Sequence, residues 1–163
     1  MRRIVAGEPD GEGSRVLSDA RFGAANGPPV FRFGGGQSIR LPAIPDEASS
    51  SDVIMTHLWE SPGPELARVG VDSATEATEY EWVPGPEGMF WRYQIFGPGR
   101  SSASHRTETL DMMFVIQGEV TLILDQEDVL LRAGDALVLQ AASHGWRAGS
   151  EGCSTIHLMR RLT

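Results

Sequence analysis

The sequence predicts an all-β fold, an antiparallel sandwich or barrel, on three observations. Short apolar runs recur along the whole chain. Glycine and proline punctuate them, with 19 Gly and 10 Pro among 163 residues. The three-to-four-residue spacing of an amphipathic helix is almost absent. Many short strands with glycine turns at regular intervals are the pattern of a closed or doubled antiparallel sheet.

Taken in order, residues 2–6 and 14–18 are apolar runs separated by Gly and Asp, and they read as a hairpin or two edge strands. Phe31, Arg32 and Phe33 form a very short strand between Asn26-Gly27-Pro28-Pro29 and Gly34-Gly35-Gly36. The triple glycine has neither the spacing nor the following helix of a phosphate loop, so it reads as a turn. Residues 42–51 read as an exposed loop. Residues 52–60 form a strand with Val53, Met55, His57 and Trp59 on one face and Ile54, Thr56 and Leu58 on the other. Apolar residues on both faces predict a strand covered on both sides, in a barrel wall or at a subunit contact.

Residues 61–86 read as a connection with a helical turn at 65–69 and an acidic run at 75–81. Residues 88–96 form a further strand with aromatic residues on both faces. Two short paired strands, 112–116 and 119–125, surround the Gln117-Gly118 turn. Strands at 129–132, 136–140, 144–148 and 154–160 complete the chain. The length fits one domain, with residues 1–50 as an N-terminal extension carrying short edge strands and residues 51–163 as the barrel.

Composition excludes several functions. The formal net charge is −8, so no basic surface is available to offset the phosphates of a nucleic acid. All 14 basic residues are Arg. The lack of Lys removes a lysine-linked pyridoxal (PLP) cofactor and the nucleotide-binding lysine of a Walker loop. A single cysteine, Cys153, forms no intramolecular disulfide and reads as a strand residue, which suits a reducing cytoplasm. No run approaches the roughly 18 apolar residues of a membrane helix, and Ile4-Val5-Ala6 passes at once into Gly7-Glu8-Pro9-Asp10, which is no signal peptide. A soluble, cytoplasmic protein without a membrane partner is expected.

The chemistry-bearing residues gather between Gly99 and Trp146. Side chains two apart on a strand share a face. His105 and Thr107 therefore share one face, as do Asp111, Met113 and Val115 on the next strand and His144 and Trp146 on a later one. If these faces line the inside of a barrel, two imidazoles and a carboxylate converge. His57 and His157 each lie on an apolar strand and read by default as satisfied core or pocket-wall histidines rather than ligands; of the two, His57, with Trp59 on its face, is the better candidate for substrate contact. Arg106 and Glu108 point outward.

The islands His105-Arg106-Thr107, Asp111 and Gly118, then Gly134-Asp135 and His144, resemble the two motifs of the cupin superfamily over residues 88–159. The branch it is most similar to is that of small single-domain cupins, most of unassigned function. The resemblance implies a double-stranded β-helix (jelly-roll) barrel, a homodimer and a small-molecule ligand in the barrel. It also implies a divalent metal, Fe, Mn, Ni or Zn, on His105, Asp111 and His144. Two His and one carboxylate is the ligand pattern of non-haem iron sites. The family usually presents three His and one Glu; here Thr107 stands where the second His would be, and Asp111 is a shorter arm. Two readings of the three residues therefore stand, a metal set and a metal-free acid–base set. In either, His105, Asp111 and His144 are the expected catalytic residues, with His57, Trp59, Thr107, Met113 and Trp146 as the substrate wall. The expected function is an enzyme acting on a small aromatic or carboxylic metabolite, by metal-dependent oxygenation or by metal-free isomerisation, cyclisation or dehydration. The alternative is a non-catalytic binding or sensing barrel.

Overall fold

The computed structural model describes residues 1–8, 13–61, 72–76 and 79–162. Ten strands and one short helix follow in order. They are β1 (Arg2–Gly7), β2 (Arg15–Arg21), β3 (Val30–Gly34), β4 (Gln37–Leu41), β5 (Val53–Ser61), α1 (Ser73–Glu76), β6 (Met89–Phe96), β7 (Thr109–Ile123), β8 (Asp128–Arg132), β9 (Ala136–Gln140) and β10 (Gly145–Arg161). β1 and β2 pair with each other. The rest form one antiparallel sheet in the order β4-β3-β5-β6-β10-β7-β8, with β9 also paired to β7. The all-β jelly roll expected from the sequence is the fold observed.

Period-two burial builds the barrel wall. In β7, Thr109, Asp111, Met113 and Val115 are buried while Met112, Phe114 and Ile116 are exposed. Beyond Gly118 the parity changes, and Val120 and Leu122 are the buried pair. One inserted residue does this: the β7–β10 register slips between Ser154 and Thr155, opposite Gln117 and Val115. Gly118 sits close by at φ 74°, and a Cβ there would meet the Gly152 carbonyl oxygen at 2.2 Å. Glycine is required at that position.

This corrects two expectations. Residues 112–116 and 119–125 are not two strands folded about a turn but halves of β7, and 144–148 and 154–160 are halves of β10. The signal of a glycine hairpin is here a bulge. The two halves of β7 have different outer neighbours, β9 along Leu110–Phe114 and β8 along Glu119–Ile123. The helical turn expected at 65–69 lies outside the described residues.

Two apolar clusters flank the sheet. The inner one joins Val53, Met55, Phe96, Met113, Val115, Val120, Leu122, Leu131, Trp146, Ala148 and Cys153. The outer one lays Phe22 and Val30, with Leu41, Ile44 and Ala48, over Ile54, Leu58, Tyr93, Ile95 and Ile156. The two-faced burial of β5 is thus met within one chain, by its own N-terminal segment. Fully burying a side chain such as Ile54 contributes on the order of 2 kcal/mol. The β1–β2 hairpin is tied on by Arg3, which donates to the Leu58 carbonyl at 2.7 Å and to the Asp72 carboxylate.

Candidate functional site

Backbone pairing, not side-chain packing, sets the two imidazoles side by side. His105 lies outside the named strands, joined to His144 by an isolated antiparallel bridge. The two residues exchange both backbone hydrogen bonds, each 2.9 Å, which makes them directly opposed partners. The rings stand 4.4 Å apart between centroids, tilted by 51°. The pairing continues one step on, where Ser102 donates to the Trp146 carbonyl at 2.9 Å and Arg100 accepts from Ala148 at the same length.

Each ring is fixed in the same way. His105 Nδ1 lies 3.1 Å from the Ala103 carbonyl and His144 Nδ1 lies 2.9 Å from that of Ala142. A carbonyl only accepts, so Nδ1 of each ring carries a proton and it is Nε2 that is left for a ligand or a proton. His105 is exposed at the rim, while His144 is 3 % exposed. Burial holds the His144 imidazole below its ordinary value, the neighbouring His105 acts in the same direction, and the Ala142 carbonyl and Asp111 act against it. His144 is therefore neutral at pH 7.

Asp111 is buried, and among the described residues its Oδ1 has no hydrogen-bond partner. Burial raises its carboxyl above the ordinary range; the Thr109 hydroxyl and the charges of Arg92, His144 and His105 oppose this. Asp111 and His144 line the same cavity and influence each other across space, the pattern of displaced proton affinities that marks a candidate acid–base site.

These groups open on a cavity of about 170 Å³ lined also by Thr107, Trp146, Arg92, Gln94, His157 and Met159. The structure thus brings together His105, Thr107, Asp111, His144 and Trp146 of the expected set. Three expected wall residues stand elsewhere. Met113 shares a face with Asp111 but lies one pair deeper, in the inner apolar cluster. His57 is buried against Tyr80 and Phe90, ring centroids 4.6 and 4.3 Å away, with Nδ1 on Glu60 Oε2 at 2.8 Å. Trp59 is separated from it by a register shift between His57 and Trp59, which breaks their shared face.

Sequence reasoning missed the deep polar wall on β6, while His157 on β10 stands on the cavity wall, one of the two places its default reading allowed. Arg92 and Gln94 are buried between Phe90 and Phe96 on β6, and His157 follows on β10 opposite Arg92. The available signal was parity, since Phe90, Arg92, Gln94 and Phe96 alternate with Trp91, Tyr93 and Ile95; aromatics on both faces concealed which was inside. Burial and the Arg92 charge push His157 well below the ordinary histidine value, and its Nε2 shares a 2.8 Å hydrogen bond with Thr155 Oγ1. Arg106 and Glu108 pair with each other on the surface at 3.3 Å.

The donor set decides how a metal would fit. His105 and His144 each offer an Nε2 lone pair, as metal-bound imidazoles do. Among the described residues, however, no three His, Cys, Asp or Glu groups gather closely enough to hold an ion. Two imidazoles and a carboxylate share the cavity without forming a compact three-donor centre.

The chain matches the family described as the cupin domain over residues 92–158. It is 40% identical over 80 residues to phomopsin biosynthesis cluster protein C′ of Diaporthe leptostromiformis, covering 47% of this chain and 42% of that protein. It is 42% identical over 60 residues to the cupin-domain-containing oxidoreductase srdD of Neurospora crassa, covering 36% of this chain and 31% of that one. The chain thus spans less than half the length of these curated relatives. Among solved structures, a cupin superfamily protein from Desulfitobacterium hafniense is 14% identical with a TM-score of 0.49, over 74% of this chain and 91% of that one. No helix among the described residues is long and apolar enough to cross a membrane. Over residues 92–158 the chain is similar to the cupin domain, and the candidate site residues His105, Asp111 and His144 all fall inside that segment.

Proposed function

We propose that this protein is an enzyme that encloses a small organic molecule in the cavity and moves a proton on it, with His144 as base and Asp111 as its charged partner. The observation that carries this is a buried Asp111 Oδ1, unpartnered among the described residues, on the same cavity wall as a His144 imidazole that burial keeps neutral. His144 Nε2 takes a proton from a C–H bond next to a carbonyl or ring. The electron pair left on carbon is delocalised into that group, and the Asp111 carboxylate stabilises the imidazolium. Return of the proton to a different carbon completes an isomerisation; its transfer to a departing hydroxyl group instead releases water, completes a dehydration and restores neutral His144. His105, at the rim, exchanges protons with solvent. The naming of relatives as oxidoreductases and as biosynthesis cluster proteins supports a catalytic role. No step of this reading runs through a metal.

The experiment is ligand screening by thermal shift, since a molecule that binds only the folded state raises its melting point, followed by incubation of each ligand with enzyme in deuterium oxide. Incorporation of deuterium at carbon, lost in Asp111→Asn with binding retained, is the expected result. Binding with no exchange on any ligand would sink the enzyme reading and leave a binding or sensing barrel. Exchange abolished by EDTA and restored by a divalent metal would overturn the metal-free route.

The reading also takes in a homodimer and a cytoplasmic setting. Met112 and Phe114 on β7 and Val138 on β9 are exposed apolar side chains, with Met112 directly opposite Val138, and a second copy would cover them. Sedimentation at micromolar concentration tests the pairing, and a monomer there would remove it.

A further inference from the structure

The geometry points to a compact carboxylic acid as the molecule this cavity takes, its carboxylate held by the Arg92 guanidinium. This rests on the proposed site and names its substrate class. Arg92 is 8 % exposed and lines the cavity. Its Nη1 donates to two uncharged acceptors, Tyr80 Oη at 3.3 Å and the Trp82 carbonyl at 3.2 Å, and its Nε is buried without any partner. Among the described residues it makes no ion pair; Asp111 and His157 feel its charge only across space.

A buried guanidinium without an anion in contact is costly to keep. Its planar fork matches a carboxylate, which is the ligand that would relieve that cost. Gln94, two residues on and on the same face, also lines the cavity, is 4 % exposed and has a buried Oε1 without a partner among the described residues. Arg100, which also lines the cavity, has a second unpartnered Nε. In a chain of net charge −8, and with the Asp111 carboxyl on the same cavity, the Arg92 guanidinium supplies the local positive charge that an anionic ligand needs.

Size sets the other limit. A cavity of about 170 Å³ compares with the roughly 150 Å³ that encloses benzene in an engineered core. One six-membered ring, or an aliphatic acid of similar bulk, fills it. A nucleotide does not fit.

The test uses the full chain and isosteric pairs, benzoate with benzamide and cyclohexanecarboxylate with its amide, titrated calorimetrically. Each acid is expected to bind at least about tenfold more tightly than its amide, the factor that hydrogen bonds to a charged group give. Arg92→Met removes that preference, weakening the acids far more than the amides; Arg92→Lys restores part of it. The acid–amide comparison on the unaltered protein stands even where an Arg92 variant fails to fold. Equal binding of acids and amides, or no binding of either acid at about millimolar concentration, overturns the inference. Asp111→Asn keeps the preference, so the two readings fail separately. Acids with an activated C–H, such as 2-oxo acids, bound without deuterium exchange remove the catalytic reading alone, and exchange on neutral molecules removes only the acid anchor.

Discussion

The inner face of the barrel has two ends of opposite character. Around Val115, Val120, Leu122 and Leu131 the wall is apolar and closely packed. Around Arg92, Gln94, Arg100 and Asp111 it holds buried polar atoms with no partner. The same sheet builds both ends, and the strands β6, β7 and β10 that frame the cavity also contribute to the packed cluster. The difference teaches that the packed end supplies the stability that lets the open end keep groups unsatisfied, the usual division between scaffold and site.

Substitutions at the two ends should therefore separate function from stability. The largest effect is expected from His144→Gln, which lowers the deuterium-exchange rate by about 10²–10⁴-fold while the melting temperature stays near that of the unaltered protein. His105→Gln, at the exposed rim, lowers it far less; equal losses would break the assignment of His144 as base. At the packed end, Gly118→Val forces a β-branched side chain to φ 74° and against the Gly152 carbonyl. Urea unfolding should show a loss of about 3 kcal/mol or more. Leu122→Ala, 2 % exposed in the native chain, should cost about 2–5 kcal/mol and leave benzoate affinity unchanged. A matching loss of affinity would show that the two ends are not separable.

The smallest effect sharpens the comparison through pH. His157 is buried and its proton affinity is held well below the ordinary 6.5 by burial first and then by Arg92. The folded state thus binds fewer protons than the unfolded one. Stability is full above the unfolded value of 6.5 and falls as the pH drops beneath it, by about 1.4 kcal/mol per unit until the folded value is reached. In His157→Gln that increment is absent, so the gap between variant and unaltered protein narrows on acidification. A gap independent of pH between 7 and about 5 would show that His157 is not held neutral.

Much of the rim was legible in the sequence, and the deep wall was not. His105, Asp111 and His144 stand in short motifs whose spacing and residue types announce them, and the structure places all three on one cavity. Strand positions were also readable, because alternation and glycine survive in a single sequence. Continuity was not: Gly118 serves equally for a hairpin and for a bulge at φ 74°, and only the long-range register with β10 distinguishes them. Parity failed at His57 and Trp59 because a slip in the β5–β6 register intervenes. It misled at Met113 because sharing a face says nothing of depth along the strand. Arg92 carries no motif; its burial is decided by which face of β6 the rolled sheet encloses.

The reciprocal peptide bonds between His105 and His144 separate placement from identity. Because the main chain alone holds the two positions opposite one another, either ring can be exchanged for another side chain while its neighbour keeps its station. New functional groups, an amide, a thiol or a phenol, could be installed at the mouth one at a time, each meeting the same opposing imidazole at an unaltered spacing.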